Sequence, residues 1–194
     1  MKVEAEFVTS AAGANDFPRQ ALPEVAMVGR SNVGKSTLIN ALVKKALART
    51  SAAPGKTRLA NYYRVRRGAA PPLYLVDLPG YGYARGPEGD GAFRGLTEAY
   101  FSRPGARAIL LLVDSRHPGL ASDLDAWAWL RRQPFPCGVI GTKVDKLTRA
   151  ERVSHARQLE SLFACSVPLV SAKDGEGLEE LWKLIVRLPG PPTT

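Results

Sequence analysis

The feature that most constrains how this chain can fold is the segment GRSNVGKS at residues 29–36. The apolar run VAMV at residues 25–28 precedes it and predicts a buried strand, whereas apolar residues at near-helical spacing predict a helix over residues 35–47. A strand, a glycine turn and a helix start therefore follow one another without a break. This order favours an α/β fold in which a loop leads from the edge of a sheet into a helix.

The turn itself has the chemistry of an anion-binding loop. Gly29 and Gly34 allow successive backbone N–H groups to point into one concavity, and the helix N-terminus adds partial positive charge there. In the pattern G-x-x-x-x-G-K-[ST], Lys35 would reach the β- and γ-phosphates of a nucleotide, and the Ser36 hydroxyl would ligate Mg²⁺. The alternative is a glycine turn with a surface lysine, but the flanking strand and helix favour phosphate binding. The residues expected along the phosphates are Gly29, Arg30, Ser31, Asn32, Val33, Gly34, Lys35, Ser36 and Thr37.

A second carboxylate motif tests the nucleotide interpretation. The apolar run LYLV at residues 73–76 ends in DLPG, so Asp77 would emerge at the carboxyl edge of the sheet, where it can hold Mg²⁺ through a water. Gly80 would let its backbone N–H approach a γ-phosphate. The alternative for Asp77 alone is a simple turn former, but the strand and the D-x-x-G spacing favour a metal site.

Two later segments, TKVD at residues 142–145 and SAK at residues 171–173, each follow an apolar run and indicate the base. The Asp145 carboxylate could accept two hydrogen bonds from guanine N1–H and its exocyclic amine, whereas adenine offers no such pair. The stem of Lys143 could cover one face of the base, and Ala172 is too small to obstruct its own backbone N–H from guanine O6. The expected base-binding residues are Thr142, Lys143, Asp145, Lys146, Ser171, Ala172 and Lys173.

The order of these motifs resembles that of the TrmE-Era-EngA-EngB-like GTPase superfamily, and DLPGYGYA with TKVDKL resembles the EngB (YihA/YsxC) family over nearly the full chain. The resemblance implies a Ras-like G domain that binds GTP or GDP with Mg²⁺ and contacts the nucleotide through Gly55, Lys56 and Thr57. It also implies association with the large ribosomal subunit during assembly, and a need for the protein in normal cell division and septation. Thr142 stands where most GTPases carry Asn. The EngB family is similar in this, so we expect guanine specificity with a weaker hold between this loop and the phosphate loop.

A third metal ligand is expected from the loop at residues 49–58, which contains Pro-Gly and no apolar periodicity. Thr50, Ser51 and Thr57 could each supply a hydroxyl to Mg²⁺, and the family resemblance selects Thr57 over an ordinary loop threonine. The expected metal ligands are therefore Ser36, Thr57 and Asp77.

Hydrolysis is expected to be slow, because Tyr81 stands where Ras-like enzymes carry a glutamine that positions the attacking water. Asn32 resembles a potassium ligand of related GTPases, and K⁺ could supply charge where others use an arginine finger. The alternatives are that Asn32 only caps the loop, and that Arg85 or a partner's group assists. Tyr81, Tyr83 and Phe93 lie in a glycine-rich segment and could contact a partner, or pack back on the domain when nucleotide is bound. The candidates for catalysis are Lys35, Thr57, Gly80 and Asn32.

The 194 residues allow one domain with a sizeable core. We predict an N-terminal extension packed on the domain at residues 1–22, an EngB-type G domain at residues 23–189 and a tail at residues 190–194. No secretory signal or membrane-spanning run is expected. The two cysteines match no metal motif, which favours a reduced, cytoplasmic protein. The sequence has no coiled-coil pattern, and a monomer is expected.

The net charge of +9 is concentrated in one part of the chain, because residues 25–76 contain ten Lys or Arg and no Asp or Glu. This exceeds the need of one triphosphate, so the basic face of residues 25–76 is predicted to attract nucleic acid. The family resemblance implies that this nucleic acid is ribosomal RNA of the large subunit. The alternative is an ordinary solvated basic face. The basic residues left over after nucleotide binding are Lys44, Lys45, Arg49, Arg58, Arg64, Arg66 and Arg67.

The predicted fold class is an α/β P-loop NTPase G domain, a three-layer sandwich with a six-stranded, mostly parallel sheet and helices on both faces. The second and third predicted strands should pair antiparallel through a connection at residues 67–72. Asp114 is interpreted as the start of a loop. The predicted strands lie near 25–29, 59–66, 73–77, 108–114, 136–142 and 167–171, and the helices near 35–47, 91–101, 122–132, 148–163 and 177–187.

Three functions compete at this stage. A GTPase switch on the large ribosomal subunit accounts for all the motifs. A small-molecule kinase predicts adenine use and an arginine-bearing lid, against which TKVD and SAK argue. A scaffold stabilised by nucleotide predicts equal partner affinity with GTP and GDP.

Overall fold

The computed structural model describes residues 1–48, 59–81 and 95–189, and within them a six-stranded sheet is flanked by helices. The strands are β1 (Val3–Ala11), β2 (Glu24–Gly29), β3 (Ala60–Arg67), β4 (Leu73–Asp77), β5 (Arg107–Asp114) and β6 (Cys137–Thr142). The helices are α1 (Lys35–Val43), α2 (residues 95–101), α3 (Ala121–Leu130), α4 (Arg149–Phe163) and α5 (Leu178–Arg187).

The strand order β1-β3-β4-β2-β5-β6 brings the carboxyl ends of four strands to one edge of the sheet. Strands β4, β2, β5 and β6 run parallel, whereas β3 pairs antiparallel with both β4 and β1. The predicted α/β fold class and the antiparallel β3–β4 pair are therefore confirmed. The residues that end the parallel strands at this edge are Asp77, Gly29, Asp114 and Thr142.

Helices cover both faces of the sheet, as expected for strands that are apolar on both sides. All positions of β2 and β5 are buried. Helices α1 and α5 pack on one face, where Trp182 is buried. Helices α2, α3 and α4 pack on the other face, where Trp127 is buried.

The sheet has the predicted number of six strands, but one of them is a strand that was not predicted. Residues 167–171, predicted as a strand, form only an isolated bridge between Leu169 and Gly141. Pro168 has no N–H to donate, and the backbone turns at once, since the Ser171 N–H donates to the carbonyl of Glu176. The sixth strand is instead β1, which pairs along the edge of β3. Residues 3–11 thus belong to the sheet, while the division of the chain after residue 22 stays a prediction.

Candidate nucleotide-binding site

The predicted phosphate loop connects the end of β2 to the start of α1. Gly34 has φ 105° and Asn32 has φ 63°, so the loop makes its turns in the left-handed region, where a glycine is favoured. A Cβ placed on Gly29 would lie 2.8 Å from the Leu112 carbonyl oxygen, which explains why a glycine ends β2. No side chain of the described residues caps α1, so its first N–H groups can bind an anion.

The D-x-x-G glycine lies directly against this loop. A Cβ on Gly80 would come within 2.9 Å of the Ser31 nitrogen and 3.2 Å of Lys35 Nζ. The Ser31 N–H donates to the Tyr81 carbonyl over 3.1 Å, and Arg30 forms a parallel bridge with Tyr81. The two segments predicted to contact the γ-phosphate are therefore in backbone contact with each other.

Lys35, Ser36 and Asp77 meet beneath the loop. The Lys35 amine donates to the Gly29 carbonyl over 3.3 Å, and the Ser36 hydroxyl donates to Asp77 Oδ2 over 2.9 Å. Burial lowers the pKa of Lys35, and the charge of Asp77 opposes that shift. Burial also raises the pKa of Asp77, against the charge of Lys35 and the hydrogen bond from Ser36. Both charges are therefore held away from water, which strengthens their action on a phosphate or a metal.

This group fits Mg²⁺. Asp77 is 2% exposed, and its Oδ1 atom has no hydrogen-bond partner among the described residues. A buried carboxylate oxygen without a partner is costly unless a ligand occupies its lone pairs. Mg²⁺ takes hard oxygen ligands, usually one or two carboxylates together with phosphates and water. The described residues hold no group of three or more His, Cys, Asp or Glu that could bind a metal by themselves.

A cavity of about 190 Å³ adjoins the phosphate loop where the base is expected. Asp145 lies at this cavity with its side chain 8% exposed, and its Oδ1 accepts a hydrogen bond from the Ser171 hydroxyl over 3.1 Å. Ser171 is fully buried and orients the carboxylate rather than lining the cavity. The predicted residues that line the cavity are Val33, Gly34, Thr37, Thr142, Lys143, Asp145, Lys146, Ala172 and Lys173.

The loop that begins with TKVD at residues 142–145, called the base loop below, docks on the phosphate loop through two side chains. The Thr142 hydroxyl lies 2.8 Å from the Val33 carbonyl oxygen and 3.1 Å from that of Val113. Because a hydroxyl has one proton and an Asn amide has two, threonine here makes fewer simultaneous bonds than the usual Asn could. Lys143 Nζ donates to the Asn32 carbonyl over 2.7 Å.

Asp114, interpreted from sequence as the start of a loop, belongs to this network. Its carboxylate is 3% exposed and accepts hydrogen bonds from Arg116 and from Lys143 Nζ, the latter over 2.9 Å. Burial alone would raise the pKa of Asp114, but the hydrogen bonds from Arg116 and Lys143 outweigh it and hold the pKa well below its usual range. The signal available in the sequence was its position directly after the apolar run at residues 108–113.

Tyr81 is buried, and its side chain packs on the domain. It is 8% exposed, and its hydroxyl donates to Asp123 Oδ1 on α3 over 2.9 Å. Of the two readings of this aromatic residue, packing on the domain is the one that the structure shows. Several predicted residues lie outside the described part of the chain, namely Gly55, Lys56, Thr57, Tyr83, Arg85 and Phe93.

The charge of the basic segment is partly neutralised by acids from elsewhere in the chain. Arg66 pairs with Glu4 and Arg64 with Glu6 across the β1–β3 register, and Arg67 pairs with Glu179 on α5. Counting these three arginines as free was therefore wrong, because acids distant in sequence are their partners. Lys44 and Lys45 remain exposed, and the other two leftover cations, Arg49 and Arg58, lie outside the described residues.

The fold and this site define a P-loop GTPase domain. The family model described as 50S ribosome-binding GTPase matches residues 24–143. The chain belongs to the EngB family of GTP-binding proteins, since it is 44% identical to the probable GTP-binding protein EngB of Pelotomaculum thermopropionicum over 98% of both chains. Members of this family bind GTP and GDP and belong to the GTPases.

Solved structures agree on the fold. A crystal structure of a probable GTP-binding protein EngB matches with TM-score 0.61 and 23% identity, covering 85% of this chain and 97% of that one. Era, solved with MgGDPNP and nucleotides of 16S ribosomal RNA, matches with TM-score 0.75 and 22% identity over 90% of this chain and 59% of that one. In the part of the chain that the structure describes, no helix is both long enough and apolar enough to span a bilayer.

Proposed function

We propose that this chain is a GTP-dependent switch that binds GTP or GDP with Mg²⁺ and acts on the large ribosomal subunit during its assembly. The observation that carries the proposal is the docking of the base loop on the phosphate loop, through Thr142 on the Val33 carbonyl and Lys143 on the Asn32 carbonyl. A ligand that joins a purine base to a chain of phosphates fits such a combined site. The description of the matching family as 50S ribosome-binding supports the choice of subunit.

Guanine is the base favoured by the cavity. The hydrogen bond from Ser171 orients the Asp145 carboxylate and leaves it acceptor capacity for guanine N1–H and the exocyclic amine. Adenine would leave that nearly buried carboxylate without these donors, a mismatch on the order of ten-thousandfold in affinity.

Each residue of the site has a separate role in phosphoryl transfer. This reaction depends on positioned charge rather than on covalent chemistry by the protein. In this proposal Lys35 and the free N–H groups of α1 bind the β- and γ-phosphates, and Gly80 admits the γ-phosphate to the backbone beside Ser31. Ser36 and Asp77, together with Thr57, would hold Mg²⁺. When bound, Mg²⁺ would neutralise negative charge that develops on the phosphate oxygens.

Intrinsic turnover is proposed to be slow, because the Tyr81 hydroxyl is engaged with Asp123 and no side chain at this position orients water. Potassium bound at Asn32 would supply part of the missing charge. Asn32 has φ 63°, and its backbone carbonyl accepts a hydrogen bond from the Lys143 amine. This contact does not use the side-chain amide of Asn32, which is left for a ligand. Steady-state GTP hydrolysis in matched KCl and NaCl tests this, and equal rates would remove potassium from the proposal.

Nucleotide identity is tested by calorimetry with GDP and ADP. GDP is expected to bind on the order of 10⁴-fold more tightly than ADP, and comparable affinities would refute the guanine site. The matched variant is Asp145→Asn, whose amide donates where the carboxylate accepts. This variant should lose GDP affinity and gain affinity for xanthosine diphosphate, because xanthine presents a carbonyl where guanine presents its amine.

The ribosomal part is tested by sedimentation with purified subunits under GTP, a non-hydrolysable analogue and GDP. Co-sedimentation with large subunits is expected under GTP and the analogue but not under GDP, and small subunits serve as the comparison arm because Era was solved with 16S ribosomal RNA. Binding that ignores the nucleotide would favour a scaffold. The basic face of residues 25–76 is the proposed contact, with Lys44 and Lys45 its exposed described cations. A cytoplasmic monomer with a role in cell division and septation completes the proposal.

A further inference from the structure

Asp114 is a buried carboxylate at the edge of the sheet where the nucleotide site lies. It ends β5 and is paired in register with Thr142, the first residue of TKVD. Arg116 fixes its orientation with three hydrogen bonds, of 3.1 Å from the backbone N–H, 2.9 Å from Nε and 2.7 Å from Nη2. Such a two-pronged guanidinium contact defines both the position and the plane of a carboxylate.

The fourth hydrogen bond of Asp114 connects it to the site. Lys143 Nζ donates to Asp114 Oδ2 over 2.9 Å and to the Asn32 carbonyl over 2.7 Å. The amine is thus clamped between the end of β5 and the phosphate loop. The Lys143 side chain passes close to Gly34, since a Cβ on that glycine would lie 3.9 Å from Lys143 Cε. The aliphatic stem of Lys143 therefore forms part of the cavity wall next to the phosphate loop.

A lysine side chain loses much rotational freedom when it is held in one conformation. If the clamp forms before the ligand binds, this conformational entropy is lost on folding and does not reduce the affinity for the ligand. In the structure the Lys143 amine is clamped by these two contacts, although 28% of the Lys143 side chain is exposed. Its backbone is also in the left-handed region, with φ 63°, so the residue is held at both ends.

We propose that Asp114 is a positioning residue for guanine-nucleotide binding, and that it acts through Lys143 by fixing the lysine amine on the phosphate loop. The inference rests on the proposed function, because it assigns a role within the same site. Asp114 itself touches neither the base nor the phosphates. Its removal should release the amine, loosen the Asn32 carbonyl and speed nucleotide release.

A double-mutant cycle measures this coupling directly. The variants are Asp114→Asn, Lys143→Met and the double variant, each assayed for the equilibrium affinity and the dissociation rate of a fluorescent GDP analogue. Asp114→Asn is expected to weaken GDP about tenfold, the scale of a lost hydrogen bond to a charged group that is partly exposed. In the Lys143→Met background the same substitution should change affinity by less than about twofold, because the group through which it acts is gone.

Folding is separated from binding by a second variant. Asp114→Ser keeps a hydroxyl that can accept from the Arg116 N–H but is too short to reach the lysine amine, so it should show the same coupling if Asp114→Asn does not fold. Equal GDP affinity of wild type and both variants would overturn the inference, as would an equal loss with and without Lys143. Failure of the wild type to prefer GDP over ADP would instead refute the proposed function, and the inference with it.

Discussion

Replacing Thr142 by valine tests whether side-chain hydrogen bonds join the base loop to the phosphate loop. The substitution keeps the branched shape and removes the hydroxyl, which lies 2.8 Å from the carbonyl oxygen of the buried Val33. Removing one partner of a buried hydrogen bond costs about 1–3 kcal/mol. We expect the lower half of that range, because the Val33 carbonyl can relax toward the nearby loop backbone.

The loss should appear in both stability and binding. A loss of about 1–2 kcal/mol in a chain of this size lowers Tm by roughly 2–8 °C. GDP affinity should fall by roughly three- to tenfold, equivalent to at most about 1.4 kcal/mol, because a nucleotide needs both loops in register. Thermal unfolding without nucleotide, together with GDP titration, measures the two effects separately.

Thr142→Ser is the matched control, since it keeps the hydroxyl and removes only a methyl group. It should retain most of the GDP affinity. Thr142→Asn has two amide donors, so it is expected to hold both the Val33 and Val113 carbonyls and to bind GDP at least as tightly as wild type. A valine variant that matches wild type, or a serine variant that loses as much affinity as valine, would refute the role given to the hydroxyl.

Three further substitutions follow from the same geometry. Asp77→Asn should leave the Mg²⁺-free protein at least as stable as wild type at pH 7. Burial raises the pKa of the Asp77 carboxyl from its ordinary value of 3.8. The stability that the protonated carboxyl contributes is therefore fully present below pH 3.8 and is lost as the pH rises through the pKa of the folded state. Denaturant unfolding in EDTA from pH 4 to 8 measures this, and added Mg²⁺ with GDP should stabilise wild type more than the variant. Gly80→Ala should destabilise the protein by about 1–3 kcal/mol, because the new methyl group would lie 2.9 Å from the Ser31 nitrogen; an unchanged unfolding midpoint would contradict this contact. Tyr81→Phe should lower stability by about 1 kcal/mol by removing the hydrogen bond to Asp123, yet leave GTP turnover in single-turnover assays within about twofold of wild type, and a large fall in turnover would place the phenol in the chemistry after all.

The positions of Gly29, Asp77 and Thr142 could be predicted because each directly follows an apolar run. Parallel strands covered on both faces end at one edge, so residues that follow such runs converge there even when they are distant in sequence. The spacing of TKVD and SAK behind the phosphate loop then indicated the base. These predictions required only that each strand be recognised in the sequence. They did not require the order of the strands in the sheet.

Pairing between distant segments could not be predicted in the same way. Within residues 3–11 only Glu4 and Glu6 are charged, and nothing local shows that they face Arg66 and Arg64 on β3. The surplus positive charge of residues 25–76 was overestimated for that reason. The role of Asp114 was missed for a related reason, because its partner Lys143 follows a different strand.

The strand order explains why these missed contacts matter to the site. The phosphate loop follows β2 and the base loop follows β6, and β5 lies between them in the sheet. Two strand spacings amount to about 10 Å, so backbone hydrogen bonds cannot join the two loops. The last residues of β5 lie between the two loops and contact both. The Thr142 hydroxyl lies within hydrogen-bond distance of the Val113 and Val33 carbonyl oxygens, and the Lys143 amine donates to both Asp114 and the Asn32 carbonyl. Substitutions at Thr142, Lys143 and Asp114 should therefore be non-additive in GDP affinity, since each removes part of one connected support.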